Sequence, residues 1–519
     1  MIAIKSNITL YNVWVSGYLL LIAAIINNIR ISQWNDSLNI SKKVYGMMLK
    51  TKQIFSASSK RSNATCQKIL PFLMRHKKNK VKETEIELSK SYPPGPPRAR
   101  PFLRSSFFNE PFLSTSNNDP ESFHCAIAPI LALAQLFGIL PVLEVRKPTP
   151  LMLKFAKFSF RTAYAAFITM MVLIMAILSI IHMIRTLNSS TFEVQGGIAS
   201  ATAGAVFYGN SVLGLIIFFW LSPRWVMLQR DWRVMEQFID SNKIDRPILR
   251  WKLYLMTALI LLLAIVEHIL SIAVHSTNYD WKGSENSTLQ NFLQIYCESS
   301  HAFIFETLKY NFVLGIFIFI VSKLATFTWN FTDVFIILVA IGLAERYKKL
   351  NKQVITSASK HRTTIDWCGI REDYAALSCM VKKVDNDISP VILLSFTNNL
   401  YFICLQLLNG LSQPDNNSII SDIYFFGSFM FLIGRTVTVT LLTARINDQS
   451  KMVLPVLYTC SATTYNVETE RLIYLLTTDD IALTGMRFFS ITRNFMLAVA
   501  GAIVTYEVVL LQFNVAIKQ

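Results

Sequence analysis

The residues of this sequence that can do chemistry are ionisable and amide side chains set inside long apolar runs. Glu267-His268 interrupts one run, and Glu306, Lys309, Tyr310 and Asn311 stand at the head of another. Asn398-Asn399, Arg435 and Glu507 interrupt three more. Such groups are costly in hydrocarbon, so they face a bundle interior or a polar cavity rather than lipid. Each can also serve plain helix packing through an interhelical hydrogen bond. Taken as a set, those near one end of the runs fit a polar cavity better. Tyr208, Tyr310, Tyr401 and Tyr424 lie on neighbouring runs, although Tyr is also the usual residue of the membrane interface. Walls of carboxylate, amide and aromatic ring suit a polyhydroxylated ligand, whose hydroxyls pair with the polar groups while its C–H faces stack on the rings. The expectation is a ligand site lined by Glu267, His268, Tyr310, Asn311, Asn398 and Tyr424.

Other chemistry is not indicated. The sequence has no Cys-x-x-Cys, no His-Glu-x-x-His and no Gly-rich phosphate loop, so neither a metal, a cofactor nor an enzyme is expected. Seven cysteines in 519 residues do not make a disulfide scaffold. Cys297 alone falls on the outward side in the topology derived below, and reads as a free surface thiol.

The elements that must position these residues are membrane helices. Hydrophobic residues make up 52% of the chain and charged residues 16%, against about 25% in a soluble domain. A crossing helix needs about 20 mostly apolar residues. Seven segments qualify, near 160–184, 198–221, 253–274, 304 onward, 390–409, 423–443 and 495–514. The fourth runs apolar from Ala302 to Ala344, long enough for two spans, yet no turn signal stands at Ser322-Lys323. It reads as one long helix projecting from the bilayer into the cytoplasm.

Loop charge sets the orientation. Three alternate loops, 222–252, 345–389 and 444–494, carry 21 Lys and Arg; the other three carry only Arg185 and Lys282. The positive-inside rule then puts the N-terminus in the cytoplasm and the C-terminus outside. The net charge of +17 therefore points to the cytoplasmic leaflet and not to nucleic acid. Sequons at Asn188, Asn286 and Asn416 fall on the outer side, though Asn63 falls inside. Residues 1–122 read as a basic, flexible cytoplasmic region in which 13–29 is a doubtful apolar segment. Residues 123–158 read as a segment at the inner membrane surface or beneath the bundle, and 159–519 as a seven-helix domain. A G-protein-coupled receptor keeps its N-terminus outside, and neither Asp-Arg-Tyr after the third span nor Asn-Pro-x-x-Tyr in the last occurs. A secondary transporter would show internal repeats, which are not evident.

The run Thr505-Tyr506-Glu507-Val508-Val509-Leu510-Leu511-Gln512-Phe513 resembles the signature of insect gustatory receptors: Thr-Tyr, five mostly hydrophobic residues, Gln-Phe. Glu507 in the spacer is similar to the sugar (sweet taste) branch, as are the stretches 123–130, Glu267-His268, 328–333 and Ile446-Asn447-Asp448. The resemblance covers roughly 123–519. It implies a sugar-gated, non-selective cation channel in the plasma membrane, built as a homotetramer or with related receptors. It further implies a pore lined by the last helix, with Gln512 and Phe513 at the gate; Val509 shares the helix face of Gln512 and is expected to line the same pore. A metabotropic seven-helix receptor and a secondary sugar transporter are the alternatives. The partners expected are a sugar, other receptor copies and the lipid bilayer.

Overall fold

The computed structural model describes residues 119–186, 197–240, 248–279, 288–306, 308–359, 365–411, 419–460 and 465–518, within the unit Leu73–Gln519. Side chains at 197–200, 359, 409–411 and 506–518 are outside this description. The 13–29 segment and the asparagines of the sequons at 63, 188, 286 and 416 also lie outside it.

The described chain is helical throughout, apart from two isolated bridges, Leu143 with Lys154 and Thr484 with Ser490. The helices are α1 (Phe123–Leu136), α2 (Phe160–Thr186), α3 (Gly197–Asp240), α4 (Arg250–His275), α5 (Leu289–Ser300) and α6 (Ala302–Phe305). They continue as α7 (Phe312–Ser359), α8 (Trp367–Leu411), α9 (Ile419–Lys451), α10 (Leu454–Tyr458), α11 (Val467–Thr478) and α12 (Arg493–Lys518). Six of them, α2, α3, α4, α7, α8 and α9, are long and apolar enough to cross a membrane.

Four helices are far longer than a bilayer requires. At 1.5 Å per residue the 48 residues of α7 extend about 70 Å, against a hydrocarbon core of about 30 Å. Helix α7 runs unbroken through Ser322 and Lys323. It starts later than the sequence suggests: a short helix, α6, and a break come first, so Glu306, Lys309, Tyr310 and Asn311 belong to a connection and not to the span. The break coincides with the polar stretch Glu306-Thr307-Leu308-Lys309-Tyr310-Asn311, which interrupts the apolar run in the sequence.

Helix α7 is the central element. Val334 to Ala340 are all 0% exposed, because α3, α4, α8 and α9 pack around it. The excess lengths of α3, α7 and α8 are polar and laced by ion pairs. Arg346 meets Glu236 at 2.9 Å, Lys349 meets Asp240 at 2.9 Å, and Lys382 meets Asp479 at 2.9 Å. Helix α11 attaches to the head of α8 through Arg371 and Glu468 at 2.6 Å.

Helix α1 packs on α3, α4 and α7. Ser122 caps it by accepting from the Cys125 amide at 3.3 Å. Phe123 stacks on Trp232 with centroids 4.0 Å apart, and its amide donates to Glu236 at 3.1 Å. The close approach depends on Gly342, where a Cβ would stand 2.7 Å from the Phe123 ring and 3.0 Å from Trp232. Glu121 accepts from the amides of Leu249 at 2.7 Å and Arg250 at 3.1 Å, which supplies the first turn of α4 with an acceptor.

Candidate functional site

Residues three or four apart share a helix face. On α4 that face holds Glu267, Ser271 and His275; on α9 it holds Tyr424 and Ser428. The two faces meet twice. Ser428 donates to the Glu267 carboxylate at 3.1 Å, and the His275 ring stands edge-on to Tyr424 at 6.5 Å. From α8, Gln406 donates to Ser428 at 3.1 Å. On the other side His275 faces Tyr296 of α5 at 6.3 Å, and the Tyr296 hydroxyl accepts from Lys323 of α7 at 3.0 Å. The Lys323 ammonium lies over the rings of Phe319 at 4.5 Å and Tyr296 at 4.9 Å. The result is a hoop of polar side chains drawn from five helices. Two atoms around it, Nε2 of His268 and Oε1 of Gln406, are buried without a hydrogen-bond partner among the described residues. An orphaned buried donor or acceptor costs about 1–3 kcal/mol, so each can take a further polar partner.

A second network lies along α7, α8 and α9. Asp333 is 0% exposed and pairs with Nε of Arg435 at 2.7 Å. Ser395 and Asn399 donate to the same carboxylate, the latter at 3.0 Å. Arg435 also donates to Asn330 and, at 3.1 Å, to Asn399, while Trp329 donates to Asn399 at 3.0 Å and lies under the guanidinium at 4.6 Å. A cavity with room for about one water adjoins it, lined in part by Asn210, Thr328, Ser395 and Asn398.

The residues expected from the sequence divide accordingly. Glu267 and Tyr424 come together in the hoop, and His268 sits beside Glu267. Asn398 does not join them; it accepts from Asn210 of α3 in the second network. Tyr310 and Asn311 also stand apart. The Tyr310 hydroxyl donates to the carbonyl of Gln290 at 3.3 Å, and Asn311 is exposed and accepts from the Val313 amide at 3.2 Å, opening α7. Tyr208 bonds His301 at 2.7 Å and Tyr401 bonds Thr202 at 2.7 Å, so both hydroxyls serve packing between elements. Val509, Gln512 and Phe513 lie on the backbone of α12, with side chains outside the described residues.

Lys323, Tyr296, His275 and Ser428 were missed. The four-residue spacing of Glu267, Ser271 and His275 was visible in the sequence. So was a lone lysine, Lys323, in an apolar run. Cys297 is a correction: it is fully buried, bonds the carbonyl of Gly315 at 3.7 Å, and burial pushes its thiol up to about 11, so it is no reactive surface group. His301, in the connection before α6, is driven down to about 3, chiefly by burial, with Lys323 and His275 adding to the effect. Among the described residues no group of three or more His, Cys, Asp or Glu is placed to hold a metal.

With that geometry in place, comparison with known proteins is informative. Residues 75–518 match a family model described as trehalose receptor. Gustatory receptor for sugar taste 64f of Drosophila melanogaster is 31% identical over 443 residues, covering 84% of this chain and 87% of the relative. Gustatory receptor 5a for trehalose of the same species is 31% identical over 397 residues, covering 76% of this chain and 85% of the relative. Among solved structures, the insect olfactory receptor OR5 from Machilis hrabei aligns with a TM-score of 0.53 at 15% identity, covering 74% of this chain and 97% of that one. That likeness is one of fold. The relatives are receptors and not enzymes, and the chain belongs with them to the trehalose-receptor family of insect sugar gustatory receptors.

Proposed function

We propose that this protein is a sugar-gated, non-selective cation channel of the plasma membrane. In this reading it has seven spans, the seventh being α12, a cytoplasmic N-terminus and an external C-terminus. Four copies enclose a pore lined by α12, with Val509, Gln512 and Phe513 at its constriction. Rings of Val and Phe close a pore by dewetting, and a ring of Gln holds hydrated cations weakly enough to release them.

The carrying observation is the poor cover of α12. It packs on α8 and α9, and the apolar side chains of Leu497 and Val504 stay 69% and 62% exposed. One such helix cannot enclose an ion path, whereas a symmetric ring of subunits can. The sugar assignment rests on the relatives named for sugar taste and trehalose and on the hoop, where Glu267, His268 and Tyr424 combine carboxylate, imidazole and ring surface. Tyr310, Asn311 and Asn398 keep supporting places outside that hoop.

The test is expression of the full chain alone in cells without sugar responses, with whole-cell recording against mono- and disaccharides. Sugar-evoked cation current without G-protein reagents supports the reading. A response that requires a G protein identifies a metabotropic receptor, and electroneutral or ion-coupled sugar uptake identifies a transporter. Cysteines placed at Val509 or Gln512 should react with charged thiol reagents in a state-dependent way. Should they conduct normally and never react, α12 is not the pore helix. An epitope after Gln519 should stain on intact cells, and staining only after permeabilisation overturns the orientation.

A further inference from the structure

Lys323 is the cation of the hoop, and its surroundings are unusual for a lysine inside a membrane bundle. Among the described residues its ammonium has one oxygen partner, the Tyr296 hydroxyl at 3.0 Å, and two ring faces. Among the described residues no carboxylate stands within ion-pair distance of it. Glu267 is close enough to act on it electrostatically, yet the two are not paired. Among the described residues Glu267 in turn accepts a single hydrogen bond, from Ser428. An ammonium carries three N–H donors and a carboxylate about four acceptor positions, so most of the capacity of each is unused. Opposite charges kept apart in a low-dielectric interior attract strongly and would close on each other if nothing were meant to stand between them.

We propose that Lys323 and Glu267 form the two poles of the sugar site, with Lys323 donating to one ligand hydroxyl and Glu267 accepting from a neighbouring one. This rests on the sugar-receptor reading above and adds to it a specificity-determining residue and a demand on the ligand. The ligand must present a pair of neighbouring hydroxyls, one used as acceptor and the other as donor. A hydroxyl is the group that can do either, which is why a diol fits both poles while an ether or an amine fits at most one. The Tyr296 and Phe319 rings flanking Lys323 then meet the C–H face of the ring.

The competing role for Lys323 is to hold α5 in place through Tyr296. The two roles separate in dose–response currents on the full chain, with trehalose and glucose as probes and surface labelling of an epitope as control. Lys323→Met should raise the half-maximal concentration about 10- to 100-fold, the range for a hydrogen bond to a charged group. Maximal current and surface level should hold, and Lys323→Arg, which keeps a charged donor, should recover much of the sensitivity. An unchanged curve for Lys323→Met, or no recovery of sensitivity in Lys323→Arg, overturns the proposal. The unmodified protein supplies a second test that needs no variant to fold. Across deoxy- and fluoro-glucoses, one ring position should tolerate fluorine but not hydrogen, since fluorine still accepts from Lys323. Its neighbour should tolerate neither, since both lose the proton given to Glu267. If no such pair of positions exists, the proposal falls while the receptor reading stands; if no sugar evokes a response at all, the receptor reading itself falls.

Discussion

Asp333→Asn tests whether the second network is a structural clamp. Asp333 and Arg435 are 0% and 4% exposed, and their heads meet at 2.7 Å. Removing the carboxylate charge leaves a guanidinium enclosed by Asn330, Asn399 and the Trp329 ring, which are neutral. Breaking a buried pair on one side costs about 3–5 kcal/mol, because the remaining charge is uncompensated. A domain of 150–250 residues shifts its midpoint by about 2–4 °C per kcal/mol, and a longer chain by less, so a fall of roughly 5–10 °C is expected. The assay is fluorescence-detected size exclusion of detergent-solubilised protein after heating. The informative comparison is the double variant Asp333→Leu with Arg435→Met. Exchanging a whole buried pair for apolar side chains of similar size is often close to neutral, so the double variant should be more stable than Asp333→Asn alone. If the single variant melts with the wild type, or if the double variant melts far below the single, the pair does not act as a mutually compensated charge couple.

Three further outcomes follow from the geometry. Glu267→Gln keeps the shape and the contact with Ser428 but loses the charge, and should raise the half-maximal sugar concentration by about one to two orders of magnitude at normal surface level; an unchanged curve removes Glu267 from the site. Gly342→Leu forces a side chain against Phe123 and Trp232 and should destabilise by about 1–3 kcal/mol or more, read as a lower melting midpoint and faster proteolysis ahead of α2. His301 is buried uncharged with its value held near 3, below the ordinary imidazole value of about 6.5. The unfolded chain therefore takes up the proton first: stability is fully present above about pH 6.5 and is lost as pH falls toward 3. At pH 5 the loss is about 1–2 kcal/mol, and a melting midpoint that falls with acid equally in wild type and His301→Gln removes His301 as its source.

Six of the seven expected spans coincide with helices long and apolar enough to cross a membrane, because each centres on an apolar run that is read by itself. The starts expected at 160 and 253 move by no more than three residues in α2 and α4. The extensions of α3 to Asp240 and of α8 back to Trp367 were not legible as spans, since they are polar helix held by ion pairs rather than by lipid. The site was legible in kind and only partly in membership. Glu267, His268 and Tyr424 stand out as polar or amphipathic residues among apolar ones. Tyr310, Asn311 and Asn398 share that property and differ only in where their helices place them. That is tertiary information: which faces of α4, α7 and α9 turn toward one another is decided by packing around α7, not by any local run.

The same packing explains why two polar networks coexist in one bundle and do different work. In the Asp333 network the carboxylate and the guanidinium meet at 2.7 Å and each is supported by amides or a hydroxyl, although Nε of Arg435 lacks a well-aligned hydrogen bond. In the hoop, among the described residues, Lys323 and Glu267 form no ion pair. A paired network gains little from an added hydroxyl, because admitting one breaks an ion pair; an unpaired one gains a bond for each hydroxyl it admits. Arg435 on α9 belongs to the first network, and Tyr424 and Ser428, two to three turns earlier on the same helix, belong to the second. Glu267 reaches α9 through Ser428, Arg435 ties α9 to α7 through Asp333, and α12 packs on α8 and α9, so one helix joins the hoop, the charge pair and α12.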